Sequence, residues 1–154
     1  MINIIENTVI THIEDILLVE DNPADAKLTL IGLKECHLSN RILHVEDGVE
    51  ALDYIFCKGK YADRNITDLP VLVLLDLKMP KINGIEVLEK IRADERTKMI
   101  PVTVFTSSQE DPDVKRCYEL GVNSYVVKPL DFDSFNKVIS EVGLYWAVVN
   151  LPPK

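Results

Sequence analysis

The sequence predicts one α/β domain: a five-stranded, doubly wound parallel sheet with helices on both faces. Three observations carry this. Val71-Leu72-Val73-Leu74-Leu75 is a continuous apolar run opened by Pro70 and closed by Asp76, the pattern of a central strand buried on both faces. Ile16-Leu17-Leu18-Val19 runs into Glu20 and Asp21, and Val102-Thr103-Val104-Phe105 into Thr106, so two further runs end in polar residues. Segments of helical period separate the runs, and parallel strands joined through helices need right-handed crossovers.

In chain order, residues 1–14 carry Ile2, Ile4, Ile5, Val9, Ile10 and Ile13 without a clean period and read as an N-terminal arm. A first strand covers 15–19, and Glu20-Asp21-Asn22 is the loop after it. Pro23 at a first helical position, capped by Asn22 or Asp21, starts a helix to about Cys36 with Ala24, Leu28 and Ile31 inward. A second strand covers 41–45. Asp47 with Glu50 is a capping-box pattern for a helix from Gly48 to about Cys57. Residues 58–69 are long and polar for a connection and read as a tolerated insertion.

After the central strand, Pro80 and Gly84 mark a shaped loop, and Gly84, Val87, Leu88 and Ile91 show helical spacing. Pro101 opens strand four; Ser107 and Ser108 extend its polar end. Asp111-Pro112 is a cap and first turn for helix four, closed by Gly121. Strand five, 124–127, ends in Lys128-Pro129. Asp131 caps a last helix with Phe135, Ile139, Val142, Trp146 and Val149 on one stripe, and 150–154 is a tail. The flavodoxin-like strand order 2-1-3-4-5 makes strands one, three and four neighbours.

Composition narrows the function. The 154 residues suit one ordinary domain, and acids outnumber bases 25 to 17 with no Lys/Arg stripe, which argues against nucleic-acid binding. Cys36, Cys57 and Cys117 lie far apart, fall inside predicted helices, and read as reduced thiols. No segment reaches transmembrane length and no signal peptide is present, so a cytoplasmic protein without membrane contact is expected.

The chemistry sits at the strand ends. Carboxylates about 4 Å apart repel by roughly 4 kcal/mol per pair at a dielectric of about 20. Asp21 or Asp76 alone reads as a helix cap or a turn residue. Together on neighbouring strands they read as a metal site, and an all-oxygen donor set favours magnesium over zinc. Lys128, beside the strand ending in Thr106, can reach back toward Asp76, and the Thr106 hydroxyl can hydrogen-bond an oxygen placed on Asp76. Metal, ammonium and hydroxyl around a carboxylate are the charge-neutralising parts that phosphoryl transfer needs.

These motifs resemble the receiver domain of two-component response regulators. The matching features are Glu20-Asp21, Leu75-Asp76 with Met79-Pro80 and Gly84, Thr106-Ser107, and Gly121 to Tyr125 leading into Lys128-Pro129. The resemblance covers residues 15–149, leaving the arm, the tail and no output domain. It implies that Asp76 is the phosphoacceptor, that Asp21 and Asp76 bind Mg2+ with the Lys78 carbonyl, and that Glu20 acts through water. Thr106 and Lys128 would engage the phosphoryl group, Tyr125 would be an aromatic switch, and the Lys128-Pro129 bond would be cis. Glu20 departs from the Asp many members carry. The long loop before strand three and the Trp-bearing C-terminus resemble single-domain regulators of phytochrome-class histidine kinases. The implied partners are such a sensor kinase and an unknown downstream protein.

Other classes fit the same residues less well. A small aspartyl-phosphate phosphatase would want an acid/base Asp two residues after Asp76, where Lys78 stands. A flavodoxin-type cofactor carrier would want a Ser/Thr/Gly-rich phosphate loop where Glu20-Asp21 would repel phosphate. A degenerate receiver acting only as a binding module fits poorly with the intact Asp21, Asp76, Thr106 and Lys128. A receiver is thus expected to be a signalling protein, with no chemistry beyond its own phosphorylation and dephosphorylation. Leu144, Tyr145, Val148 and Leu151 lie off the inner stripe of the last helix and leave two readings, cover by the N-terminal arm or a homodimer through helix five and the tail, of which the homodimer is favoured.

Overall fold

Five parallel strands in the order β2-β1-β3-β4-β5 form one sheet in the computed structural model, which describes residues 15–153. The strands are β1 (Ile16–Val19), β2 (Ile42–Val45), β3 (Leu72–Leu75), β4 (Val102–Thr106) and β5 (Ser124–Val127). Five helices alternate with them: α1 (Pro23–Glu35), α2 (Gly48–Ile55), α3 (Gly84–Ala93), α4 (Asp111–Glu119) and α5 (Phe132–Leu144). The expected N-terminal arm lies outside the described residues.

The central strands β1, β3 and β4 are buried on both faces, with β1 and β3 apolar at every position, while the edge strands β2 and β5 are mostly half-buried. Leu17, Val19, Val73, Leu75, Val102 and Val104 pack on one side with Ala51 and Ile55 of α2, Val87, Leu88 and Ile91 of α3, and Cys117 of α4. Ile16, Leu18, Leu72, Leu74 and Phe105 pack on the other with Ala26 and Leu33 of α1 and Phe135 and Ile139 of α5. Successive residues of a strand face opposite ways, which divides the two sets.

Most helices start where their caps predict. Asn22 accepts from the Asp25 amide at 3.0 Å, Asp47 from Glu50 at 2.8 Å and Asp131 from Ser134 at 2.9 Å. Asn83 and Glu86 close a full capping box at α3. At α2 only half of the expected box forms, because the Glu50 carboxylate accepts from the Glu46 amide and pairs with Lys60 instead. Asp111 is already helical, and the cap position of α4 belongs to Glu110.

Four expectations are corrected. The inner face of α1 is Ala26, Thr29, Gly32 and Leu33, while Ala24 is exposed and Leu28 and Ile31 are half-buried. Burial of Thr29 is possible because its hydroxyl donates to the Asp25 carbonyl at 2.8 Å. Gly32 lets α5 close in: a Cβ there would lie 2.8 Å from Ile139 Cγ2. Only Cys117 is inside a helix; Cys36 caps α1, and Cys57 follows α2 with φ at 57°.

Residues 58–69, read as a tolerated insertion, are folded locally. They contain a 3-10 turn (Gly59–Tyr61) and fold around Arg64, which donates to the Tyr54 and Asp68 carbonyls and stacks 3.7 Å over the Tyr54 ring. The Tyr54 phenol in turn donates to Asp15 at 2.5 Å, and Arg41 pairs with the same carboxylate at 2.6 Å.

The fourth correction is Val149. Phe135 and Ile139 are buried and Val142 and Trp146 half-buried, as the stripe predicts, but Val149 is exposed. At Leu144 the α-helix gives way to a π-helical turn (Tyr145–Val149), and this wider winding carries Val149 off the stripe.

At the amino ends of β4 and β5, Arg92 from α3 acts as a brace. Its guanidinium donates to the carbonyls of Gly121, Lys98 and Ile100 and to Asn123 Oδ1, at 2.9–3.1 Å. The same Asn123 oxygen accepts from the Val102 amide at 2.8 Å.

Candidate functional site

The carboxyl ends of β1, β3 and β4 meet as the strand order predicts. Asp76 is fixed against β1 by its own amide, which donates to the Val19 carbonyl at 3.1 Å. Its Oδ1 accepts from the Leu77 amide at 2.8 Å, which sets the plane of the carboxylate. Gly84 is required here: a Cβ would lie 2.2 Å from the Asp76 carbonyl oxygen, so the loop can fold back onto β3 only without a side chain.

Oxygens from Glu20, Asp21 and Asp76 lie within 4.8 Å of one another, with Glu20 and Asp76 buried and Asp21 half-buried. Three convergent carboxylates with no nitrogen or sulfur donor in the cluster suit a hard divalent cation. Asp21 also lines an open cleft of about 460 Å3 together with Lys78, Met79, Pro80, Asn83 and Asp113. The cleft gives a cation and its waters a route to the cluster.

Lys128 reaches Asp76, as expected from its strand end. Its amide donates to the Thr106 carbonyl at 2.8 Å, and its ammonium lies 3.2 Å from Asp76 Oδ2. The same ammonium lies 2.7 Å from Glu20 Oε1 and 2.8 Å from Asp25 Oδ2. Burial pushes the Glu20 carboxyl up to about 7, against the Lys128 hydrogen bond and with the Asp76 charge adding to it. For Lys128, burial works to lower the pKa, but hydrogen bonding to Asp25 and Glu20 and the Asp76 charge outweigh it and hold the group protonated.

Thr106 is fully buried, and its hydroxyl accepts from the Ser108 amide at 3.4 Å. Tyr125 is half-buried and donates to the Ser108 carbonyl at 2.9 Å, while the Ser108 hydroxyl donates to Asp113 at 2.6 Å. The Lys128–Pro129 bond is trans, correcting the expected cis form, and no cis bond occurs among the described residues. Trans is the commoner X–Pro isomer by about 0.5–1 kcal/mol.

Two residues escaped the sequence reading. Asp25 sits in the first turn of α1, where an acid ordinarily serves the helix dipole, so nothing marked it as a partner of Lys128. Ser108 reads from sequence as one more polar residue at a strand end. Its use by Thr106, Tyr125 and Asp113 depends on how the loop turns.

An acid cluster, a reaching lysine and a buried threonine at the carboxyl edge of this sheet define a receiver. The chain belongs to the response regulator receiver domain family, whose profile matches residues 16–140. It is similar to the Probable methanogenesis regulatory protein FilR2 of Methanothrix harundinacea, 41% identical over 90% of this chain and 86% of that protein. It is also similar to the response regulator Rcp1 of Synechocystis sp., 36% identical over 89% of this chain and 92% of Rcp1. The crystal structure of the Mn(2+)-bound form of Rcp1 superposes with a TM-score of 0.85 over 92% of this chain and 99% of that one. The bacteriophytochrome response regulator RtBRR, 48% identical, superposes with a TM-score of 0.74 over 92% and 84% of the two chains. Among the described residues no helix is long and apolar enough to cross a membrane.

Proposed function

We propose that this chain is a phosphorylation-operated switch whose Asp76 takes a phosphoryl group from the phosphohistidine of a sensor kinase. The observation that carries the reading is the Lys128 ammonium, held 3.2 Å from a buried carboxylate at the end of the central strand. In the transfer an Asp76 oxygen bonds to phosphorus, the donor N–P bond breaks, and the imidazole leaves with the bonding pair. The Leu77 amide orients the acceptor carboxylate, and Lys128 and the Thr106 hydroxyl receive the phosphoryl oxygens. Asp21, Asp76 and the Lys78 carbonyl would hold magnesium, with Glu20 reached through water. That ion supplies neutralisation of phosphoryl charge when bound. The chemistry is confined to the chain's own phosphorylation and dephosphorylation.

The similarity to Rcp1 and RtBRR supports a phytochrome-class kinase as the donor. The receiver spans residues 15–149, flanked by the arm and the tail, and works in the cytoplasm. It signals by docking to a downstream protein or by passing the phosphoryl group on. Exposed Leu144, Tyr145, Val148 and Leu151 support a homodimer through α5 and the tail.

Intact mass after incubation with acetyl phosphate and magnesium tests the acceptor. The wild type gains about 80 Da as an acyl phosphate, a mixed anhydride labile to hydroxylamine, since a phosphoryl group replacing a proton adds that mass. Asp76→Asn gains none, and a stable gain in that variant moves the acceptor elsewhere.

A further inference from the structure

The receiver reading accounts for Lys128 and Asp76 but leaves Asp25 without a role. An ammonium has three protons. Lys128 hydrogen-bonds Asp25 at 2.8 Å and Asp76 at 3.2 Å, and a Glu20 oxygen lies 2.7 Å from the same nitrogen. When Asp76 becomes an acyl phosphate its charge passes to the phosphoryl oxygens, and the ammonium that follows them must loosen its hold on one of the two remaining carboxylates.

Burial decides which. The side chain of Glu20 is 2% exposed, so it cannot exchange the ammonium for water without being left buried and unpaired. Asp25 is 29% exposed and lies in the first turn of α1, where water and the helix N-terminus can both take up its charge. The shorter bond to Asp25 also draws the ammonium toward α1, away from the acceptor.

Building on the receiver reading, we infer that Asp25 is the resting counter-ion of Lys128, released when Asp76 is phosphorylated, and that it sets how readily the site accepts a phosphoryl group. It is a positioning residue acting through Lys128. With acetyl phosphate as donor, an Asp76 oxygen bonds to phosphorus and the bond from phosphorus to the acetyl oxygen breaks. Acetate leaves as the anion with the bonding pair. No proton moves and total charge is conserved.

The test measures initial phosphorylation rate against acetyl phosphate concentration, by intact mass at saturating magnesium, for wild type, Asp25→Asn, Asp25→Ser and Asp25→Glu. Each variant lacking the charge should half-saturate at an acetyl phosphate concentration about five- to tenfold lower, the equivalent of one ordinary hydrogen bond in a partly exposed site, with the maximal rate within about twofold. Asp25→Glu should behave as wild type. In the metal-free resting protein, Lys128 ammonium protons should exchange with water several-fold faster in Asp25→Asn, a change that a purely structural role would not produce. Two charge-removing variants, one polar amide and one small hydroxyl, guard against loss of fold in either. Unchanged half-saturation in both overturns the inference, as does Asp25→Glu shifting as far as Asp25→Asn, while phosphorylation of the wild type leaves the receiver reading standing. A wild type that takes no phosphoryl group removes both.

Discussion

The Tyr125 phenol donates to the Ser108 carbonyl at 2.9 Å, which fastens Tyr125 to the loop leaving Thr106. Ser108 also gives its amide to the Thr106 hydroxyl and its own hydroxyl to Asp113 of α4. Thr106, Tyr125 and α4 thus share one residue. If the Thr106 hydroxyl turns to a phosphoryl oxygen, it gives up the Ser108 amide and the shared loop is free to shift. Thr106→Ala should still accept phosphate, yet phosphorylation-dependent NMR shifts on α4 should largely vanish. Ser108→Ala should reduce them and lower stability by about 1.5–3 kcal/mol, the value of a hydrogen bond to a charged group. Shifts on α4 as large in Thr106→Ala as in wild type would sink the coupling.

Gly84→Ala places a methyl group 2.2 Å from the Asp76 carbonyl oxygen and 2.8 Å from Leu77 Cα, both backbone atoms that cannot rotate away. Overpacking of this kind costs about 1–3 kcal/mol or more. The denaturant midpoint should fall accordingly, and the loop carrying Lys78 should be displaced. Gly59→Ala, at φ 56° with its nearest neighbour a flexible Asp53 carboxylate at 3.4 Å, should cost only about 1 kcal/mol. Equal midpoints for the two variants would contradict the packing at Asp76.

Asp15 makes stability pH-dependent. Burial works to raise its pKa, but hydrogen bonds from Arg41 and Tyr54 and the Arg41 and Arg64 charges outweigh it and hold the group below its ordinary 3.8. A carboxyl depressed by folding contributes stability above its unfolded value and loses it as pH falls through the folded one. Asp15→Asn should therefore be less stable than wild type at pH 7, by about 1 kcal/mol once the exposure of Arg41 is allowed for. The two proteins should converge below about pH 3. At the other extreme, Tyr54 is pushed up to about 12 by burial and by Asp15, so its contribution is full below pH 10 and lost as pH rises toward 12. Urea melts across pH check both, and a gap that persists in acid would remove Asp15 as its source.

Tyr145 and Val148 are exposed on the π-helical turn at the end of α5. Analytical ultracentrifugation should find a dimer in the wild type and a monomer in the double variant Tyr145→Glu, Val148→Glu. Phosphorylation should change the wild-type dissociation constant. A wild type that stays monomeric at high micromolar concentration in both states eliminates the dimer.

The strands and their polar ends were legible because a sheet covered on both faces leaves no choice of residue: β1, β3 and β4 are apolar until they emerge. Position along the strand then placed Glu20, Asp21, Asp76, Thr106 and Lys128. The burial of α1 was misread because its inner face uses Thr29 and Gly32, a back-bonded hydroxyl and a close contact rather than large apolar groups. Asp25 was invisible because its partner is 103 residues away and its local position already has a sufficient explanation. The order in residues 58–69 comes from one arginine that serves two carbonyls and a ring, which no local pattern announces.

The Arg92 brace gives the sheet a fulcrum. By tying the starts of β4 and β5 to α3 through Gly121, Ile100 and Asn123, it clamps one rim, while Thr106, Ser108 and the Tyr125 hydroxyl lie toward the other. On the proposed switch, a displacement begun at Asp76 would be smallest at Val102, whose amide is held by Asn123, and largest where the strands leave the sheet. The fold would then work as a lever pinned at its base, with its stroke read out on α4 and β5.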